Sequence, residues 1–143
     1  MSNTFTYVPY QETGYFSQLA TDYVSGHPDI APFFRYKPDY QGLAQAIYAR
    51  SNFPVNRELL VSVLKRQYTG FSEQAQVTDN ITALASNNTF TVCTAHQPNL
   101  LTGYLYFVYK IIHAIRLAEE LSKLHPDKNF VPIYYMGIGR AHV

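Results

Sequence analysis

Much of what usually marks a function is missing from this 143-residue chain. It holds one cysteine, Cys93, and no tryptophan. A single thiol forms no disulfide within the chain, and no Cys/His spacing suited to a metal occurs, so no metal is expected and a reducing cytoplasm is. Charged residues make up only 15% and sum to a net charge of +1 with the histidines neutral. The basic residues are not clustered, which speaks against a nucleic-acid partner. No apolar run approaches the roughly 20 residues that cross a bilayer. The start, Met1-Ser2-Asn3-Thr4, lacks the basic-then-apolar pattern of a signal peptide, so no membrane partner is expected either. The usual phosphate-binding loops, a Walker-type turn or Gly-x-Gly-x-x-Gly, are also absent.

What is present is apolar and aromatic. Hydrophobic residues make up 47%, with 13 Tyr and 9 Phe, a globular composition. Tyrosine buries a ring and keeps a polar tip, which suits half-wet clefts. The length fits one domain or less.

Residues 1–14 read as irregular. Tyr15, Phe16, Leu19, Ala20, Tyr23 and Val24 fall on one helical face, and Gly26 and Pro28 stop that helix. Pro28, Pro32 and Pro38 make 27–38 an ordered, non-helical connector. A second helix starts at Asp39 as N-cap, runs to about Arg50 and buries Leu43, Ala46 and Ile47. A third follows the cap Asn56, with Leu59, Leu60, Val63 and Leu64 as its stripe, and ends near Gly70. A fourth covers about 73–85, with Val77, Ile81 and Leu84 inward. The pattern then changes. Thr89-Phe90-Thr91-Val92-Cys93-Thr94 is short, β-branched and aromatic, and reads as a strand with Cys93 as buried packing. Thr102 is positioned to cap a helix running to about Leu124, with Phe107, Ile111, Ala114, Ala118 and Leu121 inward and Lys110, His113, Arg116, Glu120 and Lys123 solvated. Phe130-Val131-Pro132-Ile133-Tyr134-Tyr135-Met136 is nearly all apolar, as a strand buried on both faces would be. The expected fold is therefore α/β: a helical lead-in over 1–86, then the first strand–helix–strand unit of a Rossmann-like parallel sheet over 87–137, left incomplete. Such units are right-handed, and ligands bind beyond the carboxyl ends of their strands.

That edge is the loop from Thr94 to Gly103, which concentrates hydrogen-bonding groups. Thr94, His96, Gln97, Asn99, Thr102 and Gly103 are the candidates for binding a substrate or nucleotide. Thr102 and Gly103 would offer backbone N–H groups at a positive helix end, and a glycine lets a ligand approach the backbone. An ordinary strand-to-helix loop with a Thr cap and a Gly would carry the same residues. His96 suits a proton carrier or a phosphate donor, but with no acid partner identifiable in the sequence a lone loop histidine is more often structural. No catalytic residue is assigned.

The stretch from Phe90 to Lys110, Phe-Thr-Val-Cys-Thr-Ala-His-Gln-Pro-Asn-Leu-Leu-Thr-Gly-Tyr-Leu-Tyr-Phe-Val-Tyr-Lys, closely resembles the BshC family, the cysteine-adding enzymes of bacillithiol biosynthesis. The helix continuation Ile115-Arg116-Leu117-Ala118-Glu119-Glu120-Leu121, the strand Phe130-Val131-Pro132-Ile133-Tyr134 and the early Tyr10-Gln11-Glu12-Thr13-Gly14-Tyr15-Phe16-Ser17 are similar too, as is the helix from Leu60 to Gln67. Ala95 stands where the family commonly has Gly, and Tyr104 where it has Pro. The resemblance implies a carbon–nitrogen ligase that condenses cysteine with the amino group of glucosaminyl-malate. It implies a Rossmann-like core related to class I synthetase domains and, through that relation alone, ATP as cofactor. The full-length enzyme is expected to be a homo-oligomer acting on these small molecules. Two other readings compete with it: a non-catalytic truncated α/β module, and a nucleotidyl-transfer enzyme of another Rossmann-like family.

After Gly137 the resemblance stops. The family's second strand leads into a Glu-Asp-His-Asp-like segment, whereas here Ile138-Gly139-Arg140-Ala141-His142-Val143 follows. One frame of a common sequencing adapter, ATC GGA AGA GCA CAC GTC, encodes these same residues, so 138–143 are expected to be a non-native tail. Residues 1–143 by themselves are expected to be poorly stable, self-associating and inactive. Genomic DNA from the source should continue past codon 137 in the family's acidic pattern; the six tail codons followed by a genuine stop would refute this.

Overall fold

The computed structural model describes residues 4–72, 74–97 and 103–137. The chain divides after Phe53 into two compact units. In the first, α1 (Tyr10–Thr13) and α2 (Gln18–Ser25) precede a 3-10 helix (Pro28–Phe33) and α3 (Tyr40–Ser51). In the second, α4 (Arg57–Gln67) and α5 (Ala75–Ala83) lead into β1 (Thr89–His96), α6 (Leu105–Leu124) and β2 (Asn129–Met136).

Local chemistry accounts for the helix starts. Asp39 caps α3 by accepting the Gly42 N–H at 2.7 Å, and Asn56 caps α4 by accepting that of Leu59 at 3.0 Å, as expected from sequence. Three details differ in the first unit. Tyr10–Thr13 form one helical turn where irregular chain was expected, closed by Gly14 at a φ of 69°. The connector is partly helical: Pro28 sits in the first turn with its φ already set, and the His27 ring accepts the Asp29 N–H. Ser17 caps α2, so Tyr15 and Phe16 fall before the helix. The proposed apolar face there stays largely exposed (Tyr15 92%, Leu19 67%), and the buried residue is Thr21. Thr21 escapes the cost of an unpaired buried hydroxyl by donating to the Gln18 carbonyl.

In the second unit, β1 and β2 pair in parallel with one-to-one register from Thr89–Asn129 to His96–Met136. The α6 crossover makes this possible. Its 20 residues span about 30 Å, enough to run back along strands of eight residues, about 26 Å long. Its start therefore lies at the carboxyl end of β1. Ala114, Ala118 and Leu121 are buried, two small residues that let the helix approach the sheet closely. Phe107 on α6 meets Tyr134 and His96 edge-on, so α6 covers the sheet face that carries His96, Tyr134 and the stacked Phe90–Phe130 pair. Burying each large side chain here contributes roughly 1.5–3 kcal/mol.

The other face is covered only in part. α5 packs on β2, and Val131 is 4% exposed. Cys93 is exposed, not packed as expected. It alternates onto the face opposite α6, with Thr91 and Ala95 beside it also exposed. Tyr135 is likewise open at 68%.

Arg57, which sequence reasoning did not single out, ties α4 to the turn that launches β1. Its guanidinium donates to the carbonyls of Leu84 at 2.9 Å, Thr89 at 3.1 Å and Asn87 at 3.5 Å. Leu84 closes α5, so the guanidinium also sits where helix carbonyls lack partners and the dipole is negative. The Thr89 hydroxyl donates to Ala83 O, locking the same turn. Hydrogen bonds from charged groups are worth about 1.5–3 kcal/mol. Arg57→Met, which keeps the aliphatic stem, should therefore lower unfolding stability by about 2 kcal/mol. A urea-unfolding midpoint equal to wild type would mean water serves these carbonyls as well as the guanidinium does.

Candidate functional site

The carboxyl ends of β1 and β2 gather a connected set of side chains around His96. The backbone carbonyl of His96 accepts from the Tyr134 hydroxyl and from the Gly137 N–H, each at 3.2 Å. The imidazole Nδ1 lies 2.9 Å from the Gln97 carbonyl oxygen. A carbonyl only accepts, so this contact assigns the proton to Nδ1. In the neutral ring Nε2 is then the acceptor, and it lies 2.7 Å from the Tyr106 hydroxyl. The ring is bracketed edge-on by Tyr106 and Phe107, with centroids at 5.1 and 5.8 Å. Tyr104 stacks on Tyr106 at 5.8 Å. Lys110 reaches the same edge from α6: its Nζ donates to the Ala95 carbonyl at 3.1 Å.

The sequence candidates fall unevenly on this geometry. Thr94 is half-buried, paired in register with Tyr134 on the His96 face of the sheet. His96 is the hub. Gln97 contributes its backbone carbonyl, which fixes the tautomer, and its side chain is exposed. Asn99 and Thr102 lie outside the described residues, as does the expected tail at 138–143. Gly103 has a φ of 61°, the left-handed region where a Cβ is costly, so its identity is required by backbone shape. The expected Thr102 cap is not what starts α6. The N-cap position is Tyr104, without a side-chain cap bond, and the helix opens at Leu105. The first-turn N–H groups are therefore those of Leu105 and Tyr106, at the aromatic cluster.

Sequence reasoning missed Tyr106 and Tyr134; it read Lys110 as solvated, and Lys110 is exposed, but its bond to Ala95 was not foreseen. A usable signal existed: Tyr106 and Lys110 are four apart, one above the other on a helical face. Tyr134 had none, because only the strand register brings it beside Thr94 and His96.

Chemically, the cluster joins a histidine of defined tautomer, a phenol, a cation and the positive start of a long helix, an edge suited to oxygen anions and to proton movement between His96 and Tyr106. No group of three or more potential metal ligands occurs among the described residues. Other features lie elsewhere. An open hollow of about 580 Å³ is lined by Lys65, Tyr68, Phe71 and Ile81 at the α4–α5 corner. One of about 840 Å³ is lined by Arg35, Tyr36, Gln41 and Tyr48 in the first unit. The carboxyl of Asp127 is held below its ordinary range by a hydrogen bond from Lys128, in the exposed turn between α6 and β2 at the opposite end of the sheet.

No helix among the described residues is long and apolar enough to cross a membrane. Comparison with known proteins places the chain. The family described as "Bacillithiol biosynthesis BshC, N-terminal Rossmann-like domain" matches residues 4–139. A Flavobacterium psychrophilum protein named "Putative cysteine ligase BshC" is 42% identical over 132 residues, covering 90% of this chain and 25% of the relative. Proteins of the same name from Cytophaga hutchinsonii and Carboxydothermus hydrogenoformans are 41% and 32% identical, covering 88% and 87% of this chain and 24% and 23% of their own length. The chain thus spans about a quarter of the length of the curated relatives it matches. A single parallel strand–helix–strand unit, its strand-end cluster and a match over residues 4–139 lead to one assignment: the chain belongs to the BshC family of bacillithiol biosynthesis, as its N-terminal Rossmann-like domain.

Proposed function

We propose that this chain supplies the opening segment of a carbon–nitrogen ligase that joins cysteine to glucosaminyl-malate, and that the strand-end crevice around His96 binds an anionic or nucleotide group during that reaction. Family membership over residues 4–139 carries the ligase reading. The convergence of His96, Tyr106 and Lys110 at the carboxyl ends of parallel strands supports the location, since that is where open α/β sheets bind ligands. In this reading His96, with Nδ1 pinned by Gln97 O, exchanges a proton through Nε2 and the Tyr106 hydroxyl. Thr94 lines the crevice wall beside Tyr134. ATP is the nucleotide this fold relationship suggests. Asn99 and Thr102 belong to the same loop and complete the candidate set. The full-length enzyme works in the cytoplasm as a homo-oligomer.

Residues 1–143 by themselves are inactive in this reading, because the crevice borders only two strands and the relatives are about four times as long. Cysteine ligation should be measurable with the full-length protein and undetectable with residues 1–143; turnover by the short chain would overturn the need for the remainder. Gly103→Val in the full-length protein should weaken nucleotide or substrate binding. It forces a β-branched residue to a φ of 61°, at a cost of roughly 1–3 kcal/mol. Gly103→Asn, which tolerates that conformation better, should lose less. Unchanged affinity in the Val variant would remove the crevice from the binding site.

A further inference from the structure

Lys110 stands on the second turn of α6. Side chains on a helix lean toward its N-terminus, so a lysine here is directed back over the helix start. It reaches a strand end fifteen residues away in sequence, where its ammonium donates to the Ala95 carbonyl at 3.1 Å. That partner is neutral. Among the described residues Lys110 forms no ion pair, whereas on the same helix Arg116 meets Glu119 at 3.2 Å. An acid partner would cancel the charge. A carbonyl fixes the ammonium in place and leaves the charge uncompensated, with two of its three donors to spare. The start of α6 adds a partial positive charge to this field, and Tyr106, hydrogen-bonded to His96, lies one turn earlier on the same face.

We infer that Lys110 is the charge-recognition residue of the crevice and that it holds an oxyanion of the ligand, phosphate or carboxylate, with the donors left over from Ala95. This rests on the crevice reading above and sharpens it, because it assigns the ligand's anionic group to one cation. Lys110 is exposed, so replacing it leaves the core untouched.

The test is titration calorimetry on the full-length protein with two probes, inorganic pyrophosphate and L-malate, at several salt concentrations. Wild type should bind one of them: pyrophosphate if the oxyanion is a nucleotide phosphate, malate if it is a substrate carboxylate. Lys110→Met and Lys110→Gln should each lose about ten-fold or more in affinity for that probe and show a flatter salt dependence. Lys110→Arg, which keeps the charge, should recover most of both. Equal affinity and salt slope in the Met and Gln variants would overturn the role of Lys110 and leave the crevice in place. A wild-type protein that binds neither probe would overturn the crevice reading, and this inference with it.

Discussion

The parallel pairing of β1 with β2 is the constraint from which the rest of the second unit follows. Two adjacent parallel strands cannot be joined by a tight turn; the chain must return to the end where it started. α6 makes that return, and its length matches the strands. The geometry of the candidate site is a consequence. The helix start is forced to the carboxyl end of β1, so Tyr106, Phe107 and Lys110 face the strand end where His96 and Tyr134 emerge. Shortening the helix by a turn would move Lys110 about 5 Å and separate it from Ala95.

The same geometry gives His96 a defined tautomer. One ring nitrogen is committed by the carbonyl of the next residue, and the other is left to a phenol. This local device needs only His96 and the carbonyl of the next residue. The tyrosine-rich composition finds its use here: Tyr104, Tyr106 and Tyr134 present rings to one another or to Phe107, while the hydroxyls of Tyr106 and Tyr134 bond to His96. Gly103 allows the chain to turn into the helix.

Parallel sheets ordinarily carry helices on both faces. Here α6 covers one face, and α5 covers the start of the other, held to β1 through Arg57 and Thr89. Beyond that, Cys93, Ala95 and Tyr135 are open to solvent. The apolar run from Phe130 to Met136 had suggested burial on both faces. The run describes the environment such a strand prefers, while its exposure depends on which other elements pack there.

Much of the architecture was written in local chemistry. Asp39 and Asn56 start their helices by accepting N–H groups three residues on, a relationship within one turn and so visible in sequence. The change from helical to strand periodicity at Thr89, and the apolar stripe ending in Ala114, Ala118 and Leu121, are also local patterns. Of the site, His96 and the required glycine at 103 were legible, since a polar loop between strand and helix is itself a local signal. Tyr134 beside His96, Lys110 on Ala95, Arg57 across three carbonyls and the exposure of Cys93 were not. Each joins residues far apart in the chain or depends on what covers a face. By itself the sequence determined the starts of α3, α4 and β1, the buried stripe of α6, and the family. Tertiary structure alone decided which faces meet, because register and crossover geometry are properties of paired segments and not of any one of them.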